Sequence, residues 1–287
     1  MPPFDEARYL RLLAARPGGA VGARVRYRER TGSTMDDARS AAASEGLASC
    51  GGAYVAGEQE AGRGRHGRRW DSPPGAGLLV TYHLCGSAPA VARATIAGAL
   101  AVGDALREAA ALEVRYTWPN DVVVESPAAA GTAARKIAGI LAESVPAAGG
   151  RVDALLGIGV NLTSASALPT SLSGSAAGVV EAGGRPLAPE EMLAALSAAL
   201  GARWRQAADE PAALTAAWRR QLLTLGRRVR LAVPRSGPEA RVVEGLAFDV
   251  SPEGELLVRS GDGSIASFAA ADVTTGAVPV APGEGET

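Results

Sequence analysis

Gly62-Arg63-Gly64-Arg65-His66-Gly67-Arg68-Arg69-Trp70 is the stretch of this 287-residue chain that suits a core element least. Glycine loses more backbone entropy on ordering than any other residue and weakens helix and strand alike. The guanidiniums of Arg63, Arg65, Arg68 and Arg69 repel one another unless something negative sits among them, and arginine's planar fork matches phosphate or carboxylate. The segment reads as a glycine-hinged loop that orders around an anion, with a solvated basic turn as the plain alternative.

The chain holds 29 lysines and arginines, and Lys136 is its one lysine, so 28 are arginine. A composition that has replaced lysine nearly everywhere marks this position for a task that suits a compact ammonium on a flexible stem. Lys136 opens Lys-Ile-Ala-Gly-Ile-Leu-Ala-Glu, which reads as a buried strand with a glycine inside it, rather than the setting of a leftover surface lysine.

Composition narrows the function class. A net charge of −1 excludes a generally basic nucleic-acid binder, and an aromatic content of 4% argues against a base-stacking platform. Asp5, Glu6, Arg8 and Arg11 leave no signal-peptide apolar region, and Arg93, Asp104, Arg107 and Glu108 interrupt the Ala-rich stretch 90–112 that would otherwise approach a membrane span. Cys50 and Cys85 are far apart in sequence with no Cys-x-x-Cys, and with two histidines no usual spacing assembles a zinc site, so a reduced, cytoplasmic protein is expected.

Periodicity and turn residues predict a short helix over 4–16 and a strand over 24–29. A helix capped by Ser33 or Thr34 follows to about residue 44, then strands over 53–57 and 78–84. A long Ala-rich helix is expected over 89–111, with strands at 113–117, 121–125, 136–143 and 152–160. A Pro/Ala/Gly insertion falls at 126–134. The last of these strands is nearly all apolar and therefore central. Helices are expected over 189–207 and 211–224, with Trp204 and Trp218 as core packing. From Gly226 short alternating runs (229–233, 240–250, 255–259, 264–268) separated by Pro/Gly turns indicate a small barrel. The expected division is a catalytic unit over 1–225, a barrel over 226–278 and a loose tail over 279–287.

Several further motifs stand in order along the chain: Thr31-Gly32-Ser33-Thr34, Glu58-Gln59-Glu60-Ala61 leading into the arginine loop, Trp118-Pro119-Asn120-Asp121, Lys136 to Glu143, and Gly157-Ile158-Gly159-Val160-Asn161-Leu162. Together they make the chain resemble the biotin–protein ligases over about residues 24–275. The resemblance implies an α+β fold, with a central mixed β-sheet catalytic domain flanked by helices and a small C-terminal SH3-like β-barrel. It also implies an activity in which biotin and ATP, carried with Mg²⁺, give biotinyl-5′-adenylate, and biotin then passes to a lysine of a biotin carboxyl carrier protein domain.

Carried over residue by residue, the resemblance places Ser33, Thr34, Gln59, Gly62, Arg63, Lys136 and Gly139 around biotin. Arg65, Arg68, Trp70, Asn120 and Asn161 would lie toward the nucleotide. Lys136, Arg65 and Asp121 would carry the chemistry, with Asp121 positioning Lys136 or Mg²⁺; no metal ligand set is read from the sequence. Ser33-Thr34 also fits a plain helix cap, Asn120-Asp121 plain turn chemistry, Asn161 a strand-end cap, and Trp70 and Trp118 packing beside a pocket. Met35, His66 and Thr117 depart from the residues common in the family at those places. The rival readings are a lipoate or octanoate ligase or transferase of the same superfamily, a biotin-responsive DNA repressor, and an RNA-binding module. The repressor is disfavoured because too few residues precede the first strand for a helix-turn-helix, so no DNA partner is expected; with no apolar run of membrane length, no membrane partner is expected either. A monomer and a homodimer both remain open.

Overall fold

Asp5 caps the first helix of the computed structural model by accepting from the Arg8 N–H at 2.8 Å, and it is among the described residues 4–17, 20–128, 131–163, 174–233 and 241–279. That helix, α1 (Glu6–Ala14), buries Tyr9 and Leu13. The edge strand β1 (Val25–Thr31) is followed by α2 (Thr34–Glu45), whose N-cap is Ser33, and then by β2 (Ala53–Gln59), which pairs parallel to β1. Next come β3 (Gly77–Leu84), helices α3 (Ala88–Ala92) and α4 (Ala94–Ala110), and strands β4 (Arg115–Thr117), β5 (Asp121–Ala128), β6 (Gly131–Pro146) and β7 (Val152–Asn161). All these strands form one seven-stranded sheet of order β1-β2-β3-β7-β6-β5-β4, parallel at β1–β2 and antiparallel elsewhere. The mixed sheet expected from the sequence is therefore present, and apolar β7 sits at its centre.

The two faces of the sheet differ. Helix α4 covers one face, with Gly98 set against the Leu156 and Ile140 side chains, and the core there continues through α5 (Pro189–Asp209) and α6 (Pro211–Arg219), where Trp204 and Trp218 pack. Helix α2 covers part of the other face, packing Met35, Ala38 and Ala41 on Tyr54 and Leu155. The rest of that second face is left open as a cleft.

Several local expectations change. The long Ala-rich helix is broken at Arg93 (φ −108°, ψ 14°), whose buried guanidinium donates to the Pro252 carbonyl at 2.9 and 3.1 Å and to Pro89 O at 3.2 Å. A guanidinium out of water needs acceptors, and the break aims it at the C-terminal sheet. The second late helix ends at Arg219 because the chain beyond it pairs with β4: Tyr116 N donates to Gln221 O and Leu223 N to Tyr116 O. The expected insertion at 126–134 is largely a continuation of the β5–β6 hairpin, since antiparallel pairing satisfies the backbone from Glu125↔Ala134 to Ala128↔Gly131; residues 129–130 lie outside the described residues.

The C-terminal strands β8 (Arg227–Val233), β9 (Arg241–Val250), β10 (Leu256–Arg259), β11 (Ile265–Phe268) and β12 (Asp272–Pro279) form an antiparallel sheet of order β11-β10-β9-β8-β12. β12 is absent from the sequence reading, and among the described residues β11 and β12 remain edges, so the ladder does not close into a barrel. Of the expected tail, Pro279 ends β12 and 280–287 lie outside the described residues.

The expectation of a reduced protein is not met at the two cysteines. Cys50 and Cys85 form a disulfide with Cα atoms 5.6 Å apart. The turn before β2 lies beside the end of β3, where Gly51 N donates to His83 O at 2.7 Å, and this brings together residues 35 positions apart in the chain.

Buried phenols couple this core to alkaline pH. Tyr9 donates to Gly22 O at 2.8 Å, lies 3.0 Å from Ser197 Oγ, and has its pKa pushed up by burial from 10.0 to about 12. A raised folded-state pKa means the stabilisation is whole below pH 10.0 and is lost as pH rises through about 12. Over that window Tyr9 is expected to tilt unfolding free energy downward by about 1.4 kcal/mol per pH unit at most. Denaturant melts at stepped alkaline pH check this: Tyr9→Phe should flatten the slope, and an unchanged slope contradicts the coupling.

Candidate active site

The open part of the sheet face is a cleft of about 540 Å³. Its floor is set by a cross-strand glycine pair, Gly139 on β6 opposite Gly159 on β7. A Cβ at Gly159 would overlap the Trp70 indole, and one at Gly139 would lie 2.7 Å from Trp70 Cζ3 and 2.9 Å from Lys136 Cε. Glycine at both places lets the indole lie against the sheet. Trp70 also carries the Lys136 ammonium 5.3 Å from a ring centroid, a cation–π distance.

Two consecutive residues after Pro119 hold the two central cations. Asn120 Oδ1 accepts from Arg65 Nη1 at 3.3 Å, and Asp121 Oδ1 lies 2.6 Å from Lys136 Nζ. Asn120 is itself fixed by donating from Nδ2 to Ile140 O at 2.9 Å. Arg65 also donates to Ala271 O at 3.5 Å and to His66 Nε2 at 3.3 Å, so none of its hydrogen bonds goes to a carboxylate. Burial pulls its pKa below the usual arginine value, with Asp272 and Asp121 opposing. The other loop cations rest on carboxylates. Arg63 donates to Asp36 Oδ2 at 2.7 Å, Arg68 reaches Asp272 at 2.5 Å, and Arg69 lies 3.2 Å from Asp71. These pairs are exposed, and each contributes about 0.2–1 kcal/mol. An arriving polyanion can therefore displace them at small cost.

At the opposite end Gln59 Oε1 accepts from Thr34 N at 2.8 Å, from Thr34 Oγ1 at 3.0 Å and from Ser33 Oγ at 3.4 Å. Ser33 Oγ also accepts from Met35 N at 3.3 Å, so it caps α2 and faces the cleft at once. Leu79 and Leu141, which alternate onto the same face as the glycine pair, add apolar lining to the cleft.

Most residues singled out in the sequence thus meet in one cavity: Ser33, Thr34, Gln59, Arg63, Arg65, Arg68, Trp70, Asn120, Asp121, Lys136, Gly139 and Asn161. Gly62 is the exception. It stands at the root of the loop, where its carbonyl accepts from Trp70 N at 3.1 Å and a Cβ would overlap the Trp70 carbonyl. Buried Asn161 lines the cleft while its amide donates to Lys136 O at 3.4 Å and Ala177 O at 3.2 Å, in keeping with its strand-end alternative. Trp118 spends its indole N–H on Gly254 O at 3.0 Å.

Sequence reasoning missed Thr81, Ala271 and Asp272. Thr81 bonds Thr34 Oγ1 at 2.8 Å, and the one available signal was a polar residue inside an apolar strand. Ala271 and Asp272 come from the C-terminal sheet, at a strand the local pattern did not show.

The glycine floor makes a direct prediction. Gly159→Ala should displace Trp70, change its near-UV circular dichroism and cost roughly 1–3 kcal/mol of stability, the usual range for overpacking. A wild-type spectrum and melting curve would show that the indole does not depend on that glycine.

Residues 27–161 match the biotin/lipoate A/B protein ligase family, and residues 224–275 match the biotin protein ligase C-terminal domain. A biotin–[acetyl-CoA-carboxylase] ligase of Paracoccus denitrificans is 35% identical over 218 residues, covering 73% of this chain and 85% of the relative. Another, of Mycobacterium tuberculosis, is 32% identical over 271 residues, covering 91% of each. Among solved structures, the biotin protein ligase of Aquifex aeolicus in complex with biotin and ATP superposes with a TM-score of 0.68 at 22% identity, covering 88% of this chain and 98% of that one, a likeness of fold. Identity at this level over most of both chains makes this enzyme a member of the biotin–[acetyl-CoA-carboxylase] ligase family.

Proposed function

We propose that the cleft joins biotin to ATP and then hands biotin to a lysine of a biotin carboxyl carrier protein domain. The observation that carries this reading is the pair Asn120–Asp121, whose adjacent side chains hold Arg65 and Lys136 in the same cavity. In the first half-reaction a biotin carboxylate oxygen attacks the α-phosphorus of ATP and pyrophosphate leaves. Two anions must meet, and fixed cations lower that repulsion before any bond forms. Lys136 is a compact charge that fits between carboxylate and α-phosphate, while the Arg65 fork bridges both groups from the loop. Asp121 positions Lys136. In the second half-reaction the carrier's ε-amine attacks the acyl carbon of the mixed anhydride, AMP leaves with the bonding electron pair, and the amine proton is released.

The polar end of the cleft suits the ureido ring. Ser33, Thr34 and Gln59 offer both donors and acceptors there, with Arg63 at its edge, and the apolar wall beside Gly139 suits the ring and acyl chain. Arg68, Trp70, Asn120 and Asn161 lie toward the nucleotide in this reading. The loop over 62–70 shields the anhydride from water, with the exposed Arg63, Arg68 and Arg69 pairs giving way to phosphate. Mg²⁺ would ride in on the triphosphate, which needs one or two protein carboxylates; Asp71 and Asp121 line the cleft and fit that requirement. Bound there, it would neutralise phosphate charge.

The division into a catalytic unit over 1–225 and a C-terminal unit over 226–278 belongs to the same proposal, the second unit contributing Ala271 and Asp272 to the closed loop. No helix of the described residues is long and apolar enough to cross a membrane. We place the reaction in the cytoplasm, where ATP and the carboxylase carrier are found together.

Lys136→Ala should abolish biotin-dependent ATP–pyrophosphate exchange with the far-UV spectrum retained; near-normal exchange would refute the role of Lys136. Arg65→Gly should release the adenylate and label lysines on bystander proteins, detected by streptavidin blotting. Labelling confined to the carrier would show that Arg65 does not retain the intermediate.

A further inference from the structure

We propose that the reduced chain binds a single Zn²⁺ ion through Cys50, His83, Cys85 and Asp153, at the end of the sheet away from the cleft. No usual sequence spacing announces this site, because its ligands come from three separated segments: the turn before β2, the end of β3, and β7. One candidate ligand atom from each lies within 4.8 Å of all the others.

The geometry favours a metal over a chance cluster. His83 Nε2 is 3.3 Å from Asp153 Oδ2 and 3.7 Å from Cys85 Sγ, and Cys85 Sγ is 3.4 Å from Asp153 Oδ2. Tetrahedral zinc with Zn–S of about 2.3 Å and Zn–N and Zn–O of about 2.0 Å requires ligand–ligand edges of roughly 3.3–3.8 Å. Three edges of that tetrahedron are thus already in place, and Cys50 Sγ, bonded to Cys85 Sγ in the disulfide, reaches the fourth corner once reduction frees it.

The supporting shell is also present. Ser49 Oγ lies 2.8 Å from His83 Nδ1, so the other ring nitrogen, Nε2, is the one turned to the cluster. Arg151 donates to both oxygens of Asp153 at 3.2 and 3.1 Å, which fixes the carboxylate. Two thiolates, one carboxylate and a neutral imidazole carry three negative charges. Zn²⁺ leaves one, and Arg151 offsets it. His83 and Asp153 are 1% and 2% exposed, whereas Cys50 and Cys85 are only partly buried, which leaves a route for reductant and metal.

The disulfide and the metal are two states of one site. A dithiol reductant reduces the cystine to two protein thiols and is itself oxidised to a cyclic disulfide. Zn²⁺ then displaces their two protons and binds both sulfurs. The ion would tie the segment after α2 to β3 and β7. On the same face of β3, two residues before His83, Thr81 bonds Thr34 at the polar end of the cleft. The site therefore braces one wall of the cleft from outside without touching it.

The test uses the whole protein, reduced, stripped with a chelator that is then removed, and titrated with Co²⁺. One equivalent should produce the visible absorption of four-coordinate cobalt and a near-ultraviolet thiolate band, and an equivalent of Zn²⁺ should erase both. Zn²⁺ should also shield both cysteines from alkylation, counted by mass, in a wild-type chain that needs no substitution. Ser49→Ala should weaken zinc about 10–100-fold, the usual effect of losing a partner behind a ligand. Reduced protein that takes up no cobalt, cysteines that alkylate equally fast with zinc present, or equal cobalt uptake by the disulfide form would each overturn the site.

Discussion

Positive charge concentrated at one mouth of a β-sheet is the constraint around which this molecule is arranged. Arg63, Arg65, Arg68, Arg69 and Lys136 all line one cavity, and without anions they would repel one another. The fold supplies compensation from elements far apart in sequence: Asp36 on α2, Asp71 after the loop, Asp121 on β5 and Asp272 on β12. The outer pairs are exposed and weak, so they steady the loop without locking it. The inner pair, Lys136 with Asp121, is about two-thirds buried and keeps the ammonium on station.

A second requirement is thinness of the sheet where chemistry is proposed. A side chain at Gly139 or Gly159 would lift Trp70, and with it the aromatic face beneath Lys136. Two glycines opposite one another in the β6–β7 ladder cost some backbone entropy. The surrounding strands offset that cost through burial on the α4 face, where Ile140, Leu156 and Ile158 are nearly inaccessible. The two faces of one sheet thus divide the labour: one buries apolar area, the other leaves room for ligand.

Much of the site was legible because its signals are local. The glycine-arginine loop, the lone lysine at a strand mouth and the Ser-Thr helix cap each express a short-range rule of conformation or charge. Arg93 was not legible: an Ala-rich helix gives no hint that it breaks to bring a guanidinium to Pro252 O. Asp272 was missed because, among the described residues, its strand pairs only with β8, forty residues earlier, and shows little alternation of its own. Gly62 belongs to the loop by composition, yet its position at the root follows from a hydrogen bond to Trp70.

Which residue types gather in the cleft was therefore written in the chain: a glycine-arginine loop, one ammonium, an apolar central strand. Which of them would meet was not. Cys50, His83, Cys85 and Asp153 are unremarkable apart and become a cluster once β3 lies between β2 and β7. Strand order of this kind follows from how seven strands and their helices jointly cover both faces of a sheet, and no short stretch carries that information.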